Sequence, residues 1–135
     1  MLVFYYLIKS NKQLLFIVLY FNKGLGEKMK ILGLIVEYNP FHQGHLYHLN
    51  QAKELVKPDV TIAIMSSHFV QRGEPAISDK WTRANVAIKN GIDIVVELPF
   101  IYSVQSADYF AYGTIDLLNK IGVNNIVFGS ENGDI

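Results

Sequence analysis

From Lys30 onward, short apolar runs alternate with longer segments whose apolar residues recur at helical spacing. Ile31–Val36, Val60–Met65, Ile94–Glu97 and Ile126–Phe128 read as strands; their nearly continuous apolar character suits a parallel sheet covered on both faces. A first helix is expected from about Gly44 to Val56, stopped by Pro58, with Leu46, Leu49 and Leu55 able to face the sheet. A second runs from a cap at Ser78 to Asn90, with Gly91 as its left-handed stop, and a third from Ser106 to Ile121, closed by Gly122. Between the second strand and the second helix lies a polar loop, Ser66 to Ile77, containing Arg72-Gly73-Glu74-Pro75; its length is of the kind that often carries function. Four strands joined by three right-handed crossovers predict an α/β fold, a Rossmann-like doubly wound parallel sheet that binds ligands beyond the carboxyl ends of its strands.

Met1 to Lys28 does not share this pattern. It holds two apolar runs, Met1–Ile8 and Leu14–Phe21, separated by Lys9, Ser10, Asn11, Lys12 and Gln13. A membrane span needs about 20 mainly apolar residues, and each central lysine costs roughly 2.5 to 3.5 kcal/mol on insertion scales, so no membrane role is expected. A secretory signal would place its basic residues first and a small-residue cleavage site after the apolar stretch, and neither is found. The segment is rich in the residues that AT-rich DNA encodes, and Gly26-Glu27-Lys28 suits a purine-rich stretch like a ribosome-binding site just before Met29. Residues 1–28 are therefore read as a non-native or disordered extension, with translation starting at Met29, and residues 29–135 as the N-terminal part of the α/β domain.

Composition narrows the chemistry. The 135 residues contain no cysteine, which removes disulfides, thiolate catalysis and zinc–sulfur sites and fits a cytoplasmic setting. The 12 basic and 12 acidic residues cancel, so no overall attraction to nucleic acid or anionic lipid follows from net charge.

The informative segment is Glu37-Tyr38-Asn39-Pro40-Phe41-His42-Gln43-Gly44-His45, between the first strand and the first helix. A helix N-terminus presents backbone N–H groups and partial positive charge, and Gly44 carries no side chain to hold a phosphate away. His42 and His45, three residues apart, can then face one anion as the catalytic pair, donating to phosphate oxygens as negative charge develops. A metal reading of His42, His45 and His48 is disfavoured, because steps of three advance a helix by about 300° and carry the third ring off the face. No metal-ligating set is assigned. G-x-G-x-x-G does not follow the first strand and G-x-x-x-x-G-K-[ST] occurs nowhere, which sets aside dinucleotide and P-loop chemistry.

His42-Gln43-Gly44-His45 after a first strand resembles the H-x-G-H signature of the nucleotidylyltransferase superfamily. Val36 to His48, Phe69-Val70-Gln71-Arg72-Gly73-Glu74-Pro75-Ala76, Ser106-Ala107-Asp108-Tyr109-Phe110-Ala111 and Phe128-Gly129-Ser130-Glu131 are together similar to the bacterial tRNA(Met) cytidine acetate ligase family, from Met29 onward. The resemblance implies attack of acetate on the α-phosphate of ATP, giving acetyl-adenylate and pyrophosphate, followed by acetyl transfer to the wobble cytidine of elongator tRNA(Met). It implies that Ile35, Val36, Glu37, Tyr38, Asn39, Pro40, Phe41, His42, Gln43, Gly44, His45, Leu46, Tyr47 and His48 wrap the ATP. Gly129 would approach from the other side, with Mg2+ accompanying the nucleotide.

Members of that family are much longer, and no S-x-T-x-x-R segment for the outer phosphates is present, so the chain reads as an N-terminal fragment of an incomplete domain. Arg72 could reach the triphosphate or the tRNA, or be a solvated loop residue. Glu37 and Glu97 could hold magnesium through water or cap the sheet, and neither is assigned. Tyr109, Phe110 and Tyr112 read as packing residues. Two other functions stay open: a nucleotidylyltransferase acting on a phosphorylated cofactor precursor, and a non-catalytic nucleotide- or tRNA-binding module.

Overall fold

The computed structural model describes the backbone of residues 2–9, 15–22 and 29–130, and side chains from Met29 to Gly129. The strands are β1 (Leu2–Lys9), β2 (Leu15–Asn22), β3 (Ile31–Val36), β4 (Val60–Met65), β5 (Ile94–Glu97) and β6 (Asn125–Ser130). The helices are α1 (Gln43–Val56), α2 (Lys80–Lys89), α3 (Phe100–Ser103) and α4 (Ala107–Lys120). The sheet order is β1-β2-β6-β3-β4-β5, with β6, β3, β4 and β5 parallel. This is the Rossmann-like arrangement the alternation predicts, and the order reverses between β3 and β6, where such sheets bind ligands.

Alternate residues of each central strand serve opposite faces. Leu32, Leu34, Val36, Ala63 and Met65 pack with Leu49, Ala52 and Val56 of α1 and Ala87 of α2. Ile62, Ile64 and Ile126 pack on the other face with Leu118 of α4 and Leu98, joined by Tyr102 and Phe110. Two glycines permit the close approach of α4 and α3. A Cβ on Gly33 would stand 2.7 Å from Leu118 Cδ2, and one on Gly113 would stand 2.8 Å from Tyr102 Cβ and overlap its ring.

A three-residue device recurs where helices return to the sheet: Lys57-Pro58-Asp59, Gly91-Ile92-Asp93 and Gly122-Val123-Asn124. The first residue of each is left-handed, with φ of 49°, 104° and 86°. The carboxylate or amide oxygen of the third accepts a main-chain N–H from a neighbouring strand: Lys30 to Asp59 (2.7 Å), Thr61 to Asp93 (2.8 Å) and Ile31 to Asn124 (2.9 Å). The N–H of the same residue donates back to that partner's carbonyl. Each latch reverses the chain and fixes the start of one strand against the next, which sets the register.

Three sequence expectations are revised. α2 is capped by Asp79, whose carboxylate accepts the Thr82 N–H at 2.9 Å, whereas Ser78 offers its carbonyl to Arg83. The loop of residues 66–77 holds a small hairpin, with Phe69 bridged to Pro75 and a left-handed Gly73 at its tip. Of the three aromatic residues on α4 only Phe110 packs; Tyr109 and Tyr112 are 62% and 65% exposed. Within residues 1–28, read from the sequence as a non-native or disordered extension, β1 and β2 form an antiparallel hairpin, and β2 pairs antiparallel with β6. The two apolar runs give strands of equal length, and the free edge of β6 offers a row of backbone groups to pair with.

Candidate functional site

β3 ends at Val36, and the chain turns through Tyr38, which is left-handed at φ 48°, before α1 begins. Tyr38 is buried against Phe41 and His45, with ring centroids 4.7 and 5.0 Å away, and its hydroxyl has no hydrogen-bond partner among the described residues. Burial pushes its phenol up to about 12, so the ring is neutral and acts as a prop beneath the turn. Val36 is buried with it, so both can offer a ligand only main chain.

His42 is the cap of α1. Its backbone is extended, its Nδ1 accepts the Gly44 N–H at 3.1 Å, and its own N–H donates to His45 Nδ1 at 3.3 Å. The two imidazoles stack at 3.7 Å between centroids, 22° from parallel. Because both Nδ1 atoms accept, a neutral ring at either position carries its proton on Nε2, which is left as the donor of that ring. Burial, then the neighbouring charges of His42 and His48, lower the His45 pKa, favouring this neutral form.

This geometry alters the expected role of Gly44. Its amide is taken by His42, and a Cβ there would stand 3.0 Å from His42 Cε1. The missing side chain thus makes room first for the imidazole. The amides of His45 and Leu46 are bonded to the His42 carbonyl, so the donors offered at this helix start are chiefly the two rings.

The remaining residues named from the sequence divide by exposure. Pro40, Gln43 and Tyr47 are exposed beside His42, Ile35 and Phe41 are partly buried as packing, and Leu46 is half-buried. His48, one turn further on, is lowered in pKa by burial and makes a hydrogen bond with the main chain of Val127 on β6. Gly129 is exposed at the end of β6; continuing the Leu32–Asn125 register brings it level with Val36, across the point where the strand order reverses. Arg72 is exposed near the tip of the hairpin.

The acidic residues are committed elsewhere. Glu37 accepts the Gln71 N–H at 2.6 Å, and the Asn39 side-chain oxygen accepts the Ile77 N–H at 2.7 Å, so both tie the hairpin loop to the histidine turn. Glu97 is paired with Lys80 at 2.6 Å and accepts from Ser67, contacts that hold its carboxyl below the usual range. No group of three His, Asp or Glu among the described residues could hold a metal ion.

Sequence reasoning missed Arg83. It is 2% exposed, and its guanidinium donates to the carbonyls of Glu37 (2.7 Å), Ser66 (3.1 Å), Ser67 and Ser78 (3.2 Å). An arginine inside an amphipathic helix gives no local signal of burial, so only the assembled fold discloses it.

An open parallel sheet with an H-x-G-H turn at its reversal point defines a protein of the nucleotidyl transferase class. Residues 29–135 match the model of the HIGH Nucleotidyl Transferase family, and the chain belongs to that family. It is 61% identical over 107 residues to the tRNA(Met) cytidine acetate ligase of Caldicellulosiruptor saccharolyticus and 63% identical over 107 residues to that of Kosmotoga olearia. Each match covers 79% of this chain, and 27% and 25% of those proteins, so the chain spans about a quarter of the length of these curated relatives. A crystal structure of Thermotoga maritima TmcAL bound with alpha-thio ATP superposes with a TM-score of 0.70 at 57% identity, covering 71% of this chain and 23% of that one. No helix among the described residues is long and apolar enough to cross a membrane.

Proposed function

We propose that the complete protein carrying this chain is an adenylate-forming ligase. A carboxylate oxygen of acetate attacks the α-phosphorus of ATP, pyrophosphate leaves, and acetyl-adenylate forms. The exocyclic amine of the wobble cytidine of elongator tRNA(Met) then attacks the acetyl carbon, releasing AMP and a proton. The observation that carries this reading is the His42–His45 pair: two stacked rings whose Nδ1 atoms both accept from the backbone, leaving Nε2 of each ring as the nitrogen able to donate to a ligand. Donors fixed beforehand are aimed at charge that grows on the phosphoryl oxygens and the departing pyrophosphate, so they act mainly in the transition state. The likeness to tRNA(Met) cytidine acetate ligases supports acetate and tRNA(Met) as the substrates.

ATP lies, in this reading, across the reversal between β3 and β6, with Gly129 on one side and the histidine turn on the other. Magnesium is assigned to the triphosphate. Glu37 and Glu97, the two acids at the ends of β3 and β5, are already engaged by Gln71, Ser67 and Lys80, and do not fit a metal cage. Arg72 is proposed to contact phosphate of the nucleotide or of the tRNA.

Pyrophosphate release by the full-length protein, measured with and without acetate, tests the first step; mass analysis of tRNA(Met) tests the second. Release that depends on a phosphorylated cofactor precursor in place of acetate would replace the reading with another nucleotidylyltransferase. ATP binding without any release would leave a binding module.

A further inference from the structure

Among the described residues Arg83 is the one charged side chain that is buried; it has no carboxylate within ion-pair distance, and the more distant charges of Glu37 and Asp79 offset only part of the cost of its burial. All of its hydrogen bonds go to main-chain carbonyls. Burying a guanidinium without a directly paired anion is costly, and an apolar side chain would fill the space at lower cost if packing were all the position required. What an apolar residue cannot do is hold several chain segments at fixed separations, as a planar five-donor fork can.

The carbonyls it holds identify those segments. Glu37 directly follows β3 and opens the turn that leads to His42. Ser66 and Ser67 directly follow β4, and Ser78 leads into α2. The same turn is gripped from the other direction, since the Glu37 carboxylate and the Asn39 amide bind the hairpin loop at Gln71 and Ile77. Arg83 therefore stands where the ends of β3 and β4 are set against each other, at the start of the turn that leads to His42.

We propose that Arg83 is a positioning residue for adenylate formation: by fixing the Glu37 carbonyl against those of Ser66 and Ser67, it sets where the His42–His45 donors stand. This rests on the functional reading above. Displacing such a turn by about 1 Å costs on the order of a hundredfold in rate, because the donors no longer meet the developing charge.

The test uses the full-length protein and Arg83→Lys, which keeps the charge but lacks the fork. Three experiments are run: a thermal melt for the midpoint, steady-state kinetics for the kcat and KM of acetate-dependent pyrophosphate release, and NMR for the imidazole 15N resonances of His42 and His45. The expected result is a folded variant with KM for ATP within about threefold of the parent, kcat lower by roughly tenfold to a hundredfold, and shifted resonances for both rings. Parental kcat would overturn the proposal. So would a loss of rate that vanishes when the assay is cooled below the variant's melting transition, or a variant that does not fold, since either assigns Arg83 to stability alone. If the parent itself releases no pyrophosphate with acetate, the functional reading fails separately. The ring resonances then decide the positioning, and unchanged spectra in a folded variant overturn it.

Discussion

His42 lies over His45 with 3.7 Å between ring centroids, and each ring accepts a backbone N–H through Nδ1. Protonating His45 at Nδ1 removes the acceptor of the His42 N–H from the start of α1, so the reciprocal cap goes with a neutral His45. The chemistry proposed for the pair uses Nε2–H donors that this state already holds.

A pH dependence of stability follows. The folded pKa values of His45 and His48 are lowered, chiefly by burial, so below about pH 6.5 the unfolded chain binds protons that the folded chain does not. Their contribution is present above that pH and lost as pH falls through the folded values. The carboxylate of Glu97, also lowered, adds a second loss in the more acidic range where carboxylates titrate. Thermal melts from pH 8 to pH 5 should show a falling midpoint that flattens in a His45→Gln, His48→Gln double variant. An unchanged slope in that variant would assign the effect to other groups.

Substitutions at His42 separate capping from chemistry. His42→Ala removes the cap and should cost about 0.5 to 2 kcal/mol in stability, whereas His42→Asn keeps a good capping residue. Both should lower pyrophosphate release by on the order of a hundredfold to a thousandfold with ATP affinity within about tenfold. His45→Ala should do the same to turnover. Near-parental turnover in His42→Asn with ATP saturating would leave His42 only its structural part.

Gly44→Ala probes the room kept for the imidazole. The added Cβ would meet His42 Cε1 at 3.0 Å and Nδ1 at 3.1 Å, so the ring must shift and its bond to the residue 44 amide must lengthen. Turnover should drop while the melting midpoint changes little, because the displaced ring is exposed. The larger Gly44→Val should also weaken ATP binding, read by titration calorimetry. Parental kinetics in Gly44→Ala would show that the rings need no fixed placement.

Gly113→Ala tests packing far from the site. A Cβ there would overlap the Tyr102 ring, and overpacking of this kind typically costs about 1 to 3 kcal/mol. Chemical denaturation should register that loss, and a Tyr102→Leu, Gly113→Ala pair should recover part of it. A neutral single substitution would mean that α3 moves aside freely.

The β1–β2 hairpin is addressed by deletion of residues 1–28. The family match covers residues 29–135, and the described core side chains lie between Ile31 and Val127. The melting midpoint should stay within about 2 °C, because a loss of 1 kcal/mol would move a domain of this size by more. A larger fall would show that the hairpin stabilises the edge at β6. N-terminal sequencing of the natural product checks the proposed start at Met29.

Strands β3 to β6, the three long helices and the histidine turn after β3 were legible in the sequence because they rest on local quantities. Apolar runs bounded by glycine, proline and Asx mark β3, β4 and β5, and a histidine pair around Gly44 marks the turn after β3. Even the latches at Asp59, Asp93 and Asn124 were present as a short recurrence, but their partners are Lys30, Thr61 and Ile31, which only the sheet brings near. Tertiary structure alone decided that Glu37 and Asn39 bind the loop at Gln71 and Ile77, and that Arg83 turns inward to four carbonyls. It also decided that the space above Gly44 is filled by an imidazole. Helical and strand periodicity determines which way a side chain faces. Hydrogen bonds between residues some 10 to 90 positions apart depend on register and on the angles at which layers pack, and no local pattern of residues records those.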